Sequence, residues 1–211
     1  MKRLLTTVIA FVAFVAVAVA QTPEEIIARM ETELNQYEKS GVIMTVDMKL
    51  SILGTMTTKT YSLDQKTRME NTVMGIDMVT WTDGVTMWMY NSKNQEVEIN
   101  DFQNKSAEAD AEGDIGMFNG ITEGYDVSID KETPEAWYIY CKKSKSNKDK
   151  DAPKKMDLVI AKETYMPISL TTKMDGIKIT MRDISFGVTE EQVTFDPAEF
   201  PGVKIVDKRK K

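Results

Sequence analysis

The stretch Ile76 to Glu98, IDMVTWTDGVTMWMYNSKNQEVE, constrains the fold of this chain more than any other. Asp83-Gly84 is a strong hairpin signal, because a type I′ turn needs positive φ at both central residues. The arms on either side, Asp77 to Thr82 and Val85 to Asn91, are rich in Val, Thr, Trp, Met and Tyr. In the second arm Met87 and Met89 face one way and Trp88 and Tyr90 the other, since strand side chains alternate. A strand apolar on both faces is either a central strand covered on both sides or a barrel stave with an apolar lumen behind it.

The 211-residue chain opens with Lys2-Arg3, an apolar run from Leu4 to Val19, and Ala18-Val19-Ala20 before Gln21. That order matches a secretory leader, with a positive start, an apolar middle and an A-x-A cleavage site. The expected division is a signal peptide over 1–20, cleaved after Ala20, and a single domain over 21–211. Without Lys2 and Arg3 there remain 25 basic residues against 33 acidic ones, a net charge of −8. An acidic body argues against nucleic acid as a partner and gives no general attraction to anionic lipid surfaces. Cys141 is the one cysteine, so no intrachain disulfide forms, and its setting in WYIYC reads as a buried thiol.

Histidine is absent. That removes the commonest general base, the commonest zinc ligand and every Ser-His or Cys-His arrangement. No phosphate loop, EF-hand pattern or nucleophile elbow replaces it. The expectation is a protein that is not an enzyme, with no catalytic residue, no metal and no cofactor. A rival reading gives acid–base work to Asp64, Glu70 or Asp77.

Thr22-Pro23-Glu24-Glu25 is a helix start, with Thr as N-cap and Glu at the capping-box position. Ile26, Ile27, Met30, Leu34 and Tyr37 follow at helical spacing up to Gly41. From Val42 to Ile52 the apolar period switches to two, and further strands are expected over Thr55–Leu63, Arg68–Met74, Gln95–Ile99, Tyr125–Ile129, Trp137–Lys142 and Met156–Lys162. Ile168–Met174 and Ile177–Phe186 flank a second hairpin signal, Asp175-Gly176. Apolar parity changes between Met181 and Ile184, which predicts a bulge at Arg182-Asp183. Val193–Phe195 reads as a short strand, followed by a Pro-punctuated turn and a last strand with a basic tail.

Asn100 to Gly124 breaks the pattern. Its first half is polar and acidic; its second half carries Ile115, Met117, Phe118 and Ile121 among four glycines. A small apolar helix between glycines suits a movable lid and equally an anchored loop. The segment Lys142 to Lys155, with seven lysines and two aspartates, reads as a solvated hairpin loop or as a docking surface for an acidic partner. Together these elements predict a mainly β protein with some α. Its core is an incomplete, half-open antiparallel β-barrel of about eleven strands, covered by the N-terminal helix and a helical lid insertion. Lysines and acidic residues on the alternate strand faces exclude an outer-membrane barrel.

Fifteen methionines are present, and at least nine fall at strand positions. Methionine specifies a core poorly but adapts to guests of varied shape; simple compositional habit is the other explanation. Exposing a fifteen-methylene acyl chain to water costs about 12 kcal/mol at roughly 0.8 kcal/mol per methylene, so a shallow patch does not suffice and carrying one demands an enclosed cavity, a curved sheet with a cover. The candidate ligand-binding residues are Met44, Val46, Met48, Leu50, Met69, Met78, Met87, Met89, Met174, Ile179 and Met181 on strands, with Phe118 and Ile121 in the insertion.

VTWTDGVTMWMYNSKNQEVE (Val79 to Glu98) and FDPAEFPGVKIVDKRK (Phe195 to Lys210) resemble the corresponding stretches of the periplasmic lipoprotein carrier LolA family. The order of leader, amphipathic helix, strands, helical insertion and final Asp-Gly hairpin agrees over nearly the whole chain. The resemblance implies an incomplete barrel in the periplasm that is closed by helices and acts as a monomer. Its apolar cavity would take the acyl chains of lipoproteins or another lipid. It would receive them from an inner-membrane release complex and pass them to an outer-membrane acceptor. A related reading is a lipid sensor or scaffold that regulates an envelope partner. The family's basic lid residue stands in a Lys-x-Pro-like context; here YSLDQKTRME has no proline, and the role is not transferred to Arg68.

Overall fold

The computed structural model describes residues 21–50, 54–102, 116 and 118–209. The signal-peptide expectation for 1–20 and the candidates Ile115 and Met117 lie outside them. Helix α1 (Pro23–Asn35) is followed by β1 (Val42–Leu50), β2 (Gly54–Leu63), β3 (Lys66–Val73), β4 (Ile76–Thr82), β5 (Thr86–Asn91) and β6 (Glu96–Asp101). A one-turn helix α2 (Ile121–Gly124) then leads into β7 (Tyr125–Glu132), β8 (Ala136–Lys143), β9 (Lys155–Ala161), β10 (Pro167–Met174) and β11 (Ile177–Phe186). The described chain ends with α3 (Glu190–Val193) and β12 (Lys204–Asp207).

All twelve strands join one sheet in the order β12-β6-β5-β4-β3-β2-β1-β11-β10-β9-β8-β7. It is open, because β12 and β7 form its two edges and do not pair with each other. About eleven strands, all antiparallel, were expected. The last strand was expected, but not its direction: β12 runs parallel to β6 through Lys204↔Glu96 to Asp207↔Ile99. A parallel neighbour needs a long crossover, and residues 187–203 supply it by crossing the outer face of the sheet. Val193–Phe195 is not a strand: Thr189 and Gln192 close a capping box that winds the chain into α3 instead.

Helix α1 begins as its sequence dictates. Glu25 N–H donates to Thr22 Oγ1 at 3.2 Å while Thr22 N–H donates to Glu25 Oε2 at 2.9 Å. Its stripe of Ile26, Ile27, Met30 and Leu34 is buried against one face of β7 to β11 and the start of β1. This inner face contributes Val42, Met44, Trp137, Ile139, Cys141, Met156, Leu158, Ile160 and Leu170 to the core. Burial first, and the nearby Asp157 second, push the Cys141 thiol up to about 12.

Asp175-Gly176 forms the two-residue turn expected, with φ of 49° and 85° between the paired Met174 and Ile177. Asp83-Gly84 does not. Thr82 pairs with Met87, Asp83 N–H donates to Thr86 O at 3.2 Å, and Gly84 at φ 87° is the turn's positive-φ residue. The Asp83 carboxylate accepts from the Val85 and Thr86 N–H groups instead, at 2.9 and 2.6 Å, a local turn device open to aspartate. The expected bulge is present: the β1–β11 register shifts between Ile43 and Thr45, opposite Asp183 at φ 54°. It places both Met181 and Ile184 against the core.

Gly41 joins α1's trailing turn to β1 at φ 66°, and a Cβ there would lie 2.5 Å from Ser62 O and 2.8 Å from Val188 Cβ. Both the backbone and the space therefore require glycine. Gly41→Ala is expected to lower stability by about 1–3 kcal/mol, measured as a fall in urea midpoint; a change within error would refute the close approach.

Candidate binding face

Residues paired across the sheet share a face, so register alone places the strand candidates. Val46 pairs with Met181 and Thr58, and Met48 with Ile179 and Met56. Leu50 lies opposite Gly54 at the end of β1. Further along, Met69 pairs with Thr60 and Thr80, Met78 with Asn71 and Asn91, Met89 with Thr80, and Met87 with Thr82. Met174 pairs with Ile177. Together with Met44, every strand candidate lies on the inner face, the one that α1 partly covers.

Their surroundings differ. Met44 is buried beneath α1. Phe118 and Ile121, at 1% and 3% exposure, are packed into the same cluster and fill it. Beyond the helix the face opens: Met48, Met56, Met78, Met87, Met89, Ile179 and Met181 are half-buried, while Met69 and Met174 reach 36% and 40% exposure. Among the described residues the site is thus a packed core continuing into an uncovered methionine-rich trough across β1 to β5, rather than an enclosed lumen.

Sequence reasoning missed half of the trough's lining. Thr58, Ser62 and Thr82 are buried on the same face, with Thr60, Thr67, Asn71 and Thr80 between them. Thr80 and Thr82 alternate with the apolar Val79 and Trp81, and Ser62 stands between Tyr61 and Leu63, so they read as the polar side of their strands; methionine parity on the adjacent strand was the available signal. Ser62 Oγ and Asn71 Oδ1 are buried without a hydrogen-bond partner, a state that costs free energy.

The outer face explains the double-sided strands β4 and β5. Trp81, at 1% exposure, meets Phe195 and Phe200 edge-on at centroid distances of 5.4 and 5.6 Å. Trp88 stacks on Phe195 at 5.8 Å and Tyr90 lies 4.8 Å from Phe200. The C-terminal crossover therefore covers one side of these strands while the other side lines the trough. Arg68 belongs to the outer face: its guanidinium lies 5.3 Å from the Trp81 ring, and its Nε lies 2.8 Å from Glu70 Oε1. α2, whose Ile121 is buried in the core cluster, lies on the opposite face. Glu70 is thereby paired, Asp77 accepts from Thr72 Oγ1 at 2.7 Å, and Asp64 sits exposed in the β2–β3 turn. The three carboxylates do not form one cluster.

The side chain that meets α2 is Glu31. Burial pushes its carboxyl up from the usual 4.5; the Gly120 and Ile121 N–H groups oppose that rise, and Glu123 adds to it. Glu31 stands at i+4 from Ile27 and i−3 from Leu34, so helical spacing already placed it beside the buried stripe. A raised folded-state pKa adds stability that is present at low pH and lost as pH rises through it. The stability of wild type relative to Glu31→Gln is expected to be greater at pH 4 than at pH 8 in urea melts. A difference that stayed constant or grew with pH would refute this.

No family model matches the chain, and no curated protein matches it. Among solved structures it is similar to an uncharacterized conserved protein from Thermus thermophilus, at 17% identity and a TM-score of 0.46, covering 88% of this chain and 98% of that one. It is similar to a LolA superfamily protein from Nitrosomonas europaea, at 8% identity and a TM-score of 0.33, covering 85% and 100%. A third is the MucA/MucB complex of Pseudomonas aeruginosa, at 10% identity and a TM-score of 0.40, covering 81% of this chain and 61% of that one. Likeness at this level says nothing of what the chain binds.

Proposed function

We propose that the chain is a non-catalytic carrier that shelters acyl chains against its inner face. The observation that carries this reading is the trough of half-buried methionines beside α1, left uncovered among the described residues. Methionine side chains adjust to a flexible guest without a fixed shape. One-sided contact shields roughly half of a fifteen-methylene chain, about 6 kcal/mol, which corresponds to a Kd of roughly tens of micromolar. A cargo with several chains, or a cover over the trough, would tighten that.

The leader and the LolA resemblance supply the setting: a periplasmic monomer that takes acylated lipoproteins from an inner-membrane release complex to an outer-membrane acceptor. Native mass spectrometry of the protein isolated from its own envelope tests this, with lipid-bearing species expected, alongside titration with a fluorescent fatty acid. A protein that carries no lipid and does not bind the fatty acid would sink the carrier reading. A stable envelope protein partner in place of lipid would instead favour the sensor or scaffold role.

A further inference from the structure

The outer face carries a feature that the acyl-binding trough does not use. Lys49 pairs with Lys178, Lys178 with Lys173, and Lys142 with Lys155. Because Thr172 pairs with Met156, the next rung sets Lys173 beside Lys155. Five lysines from β1, β11, β10, β9 and β8 thus form one straight row of nearest neighbours. At a strand spacing of about 4.8 Å the row is roughly 19 Å long. All five are exposed, and among the described residues none is in an ion pair.

Like charges directly opposite one another destabilise a sheet, so the row works against the fold. It borders an open cleft of ≈ 460 Å³, in which Asp157 is the lining carboxylate. The adjoining β8–β9 loop adds exposed Lys145, Lys148, Lys150 and Lys154, with Asp149 and Asp151 among them. This end is basic in a chain whose net charge is −6. Across the sheet at the same end, the inner face presents Leu50, Ile177 and the exposed Met174.

We infer that this end of the sheet docks on an anionic phospholipid bilayer, with the lysine row on the headgroup phosphates and the apolar rim at the interface. Charge complementarity selects the occupant: a rigid, evenly spaced cationic row suits a flat surface of many phosphates, and the apolar rim beside it suits the lipid boundary. An acidic peptide would match the lysines but would leave Met174 and Leu50 without a role.

Flotation of the full chain with phosphatidylcholine vesicles, with and without about one-third phosphatidylglycerol, tests this. Binding is expected to the anionic vesicles alone and to weaken with salt. Lys173→Gln/Lys178→Gln should weaken it about 25-fold, from roughly fivefold per lysine. Lys39→Gln/Lys131→Gln, the same charge change away from the row, should not. The row variant is expected to fold at least as stably as wild type, because repulsion is removed. Failure to bind anionic vesicles, equal binding to neutral ones, an unaffected row variant, or lysine-dependent binding to polyglutamate alone would overturn the proposal. Such a failure leaves the carrier reading intact, since fatty-acid titration is read without vesicles.

Discussion

Replacing Trp81 with alanine is expected to lower stability by about 3–5 kcal/mol, the range for emptying a large aromatic site. Trp81 is the largest fully buried side chain among the described residues and lies where Phe195 and Phe200 converge on β4. Its loss leaves a cavity and also frees the crossover that brings β12 beside β6. That parallel pair has four register partners, helped by the Lys204–Glu96 and Lys208–Glu98 ion pairs. Exposed ion pairs of this kind contribute at most about 1 kcal/mol each, so the aromatic anchor decides whether the crossover stays down. Two readouts separate the effects. Urea unfolding reports the global loss, and limited proteolysis should cut between residues 195 and 209 before the rest of the chain. Trp81→Phe, which keeps a ring in the site, should lose less and resist cleavage. A Trp81→Ala variant within about 1 kcal/mol of wild type, with an uncut tail, would show that the crossover is held by something else.

The sequence was most informative where a local rule acts alone. The capping box at Thr22 and Glu25, the stripe of Ile26, Ile27, Met30 and Leu34, and the Asp175-Gly176 turn each depend on residues within one or two turns of each other. The parity change at Arg182-Asp183 also reads directly as a bulge, since a bulge is a local insertion. Met74-Gly75 shows the limit. It is a two-residue turn with φ of 52° and 77° between paired Val73 and Ile76, yet methionine gives no turn signal and Met74 reads as strand. Features made by distant partners were least legible. The parallel placement of β12 depends on an aromatic cluster assembled from residues 81, 88, 195 and 200. The lysine row assembles positions 49, 142, 155, 173 and 178, and register alone brings them together. The candidate site falls between these cases: alternation placed its methionines on one face, but how far α1 covers that face is a property of packing.

A pair of charges in the trough gives the sharpest separation of binding from folding. Met78 and Met89 lie on neighbouring strands, one rung apart on the inner face, and both are half-buried. Met78→Glu/Met89→Glu is expected to weaken fatty-acid binding by about 100-fold or more, because each carboxylate facing an acyl chain must lose water without gaining a partner, at about 1–3 kcal/mol each. Stability should change much less, since both side chains keep access to solvent in the unliganded protein and neither belongs to the buried cluster under α1. Met78→Leu/Met89→Leu preserves volume and should cost under about 1.5 kcal/mol, so binding of a straight chain should survive. The leucine pair is nonetheless expected to narrow the range of chains accepted, because leucine has fewer shapes than methionine. Fluorescent fatty-acid titration over several chain lengths, paired with urea midpoints, measures all three effects. If the glutamate pair binds as wild type while remaining folded, the acyl chain does not lie on this face. If it unfolds, the leucine pair decides through chain-length selectivity: an unchanged range would remove the methionines from the site.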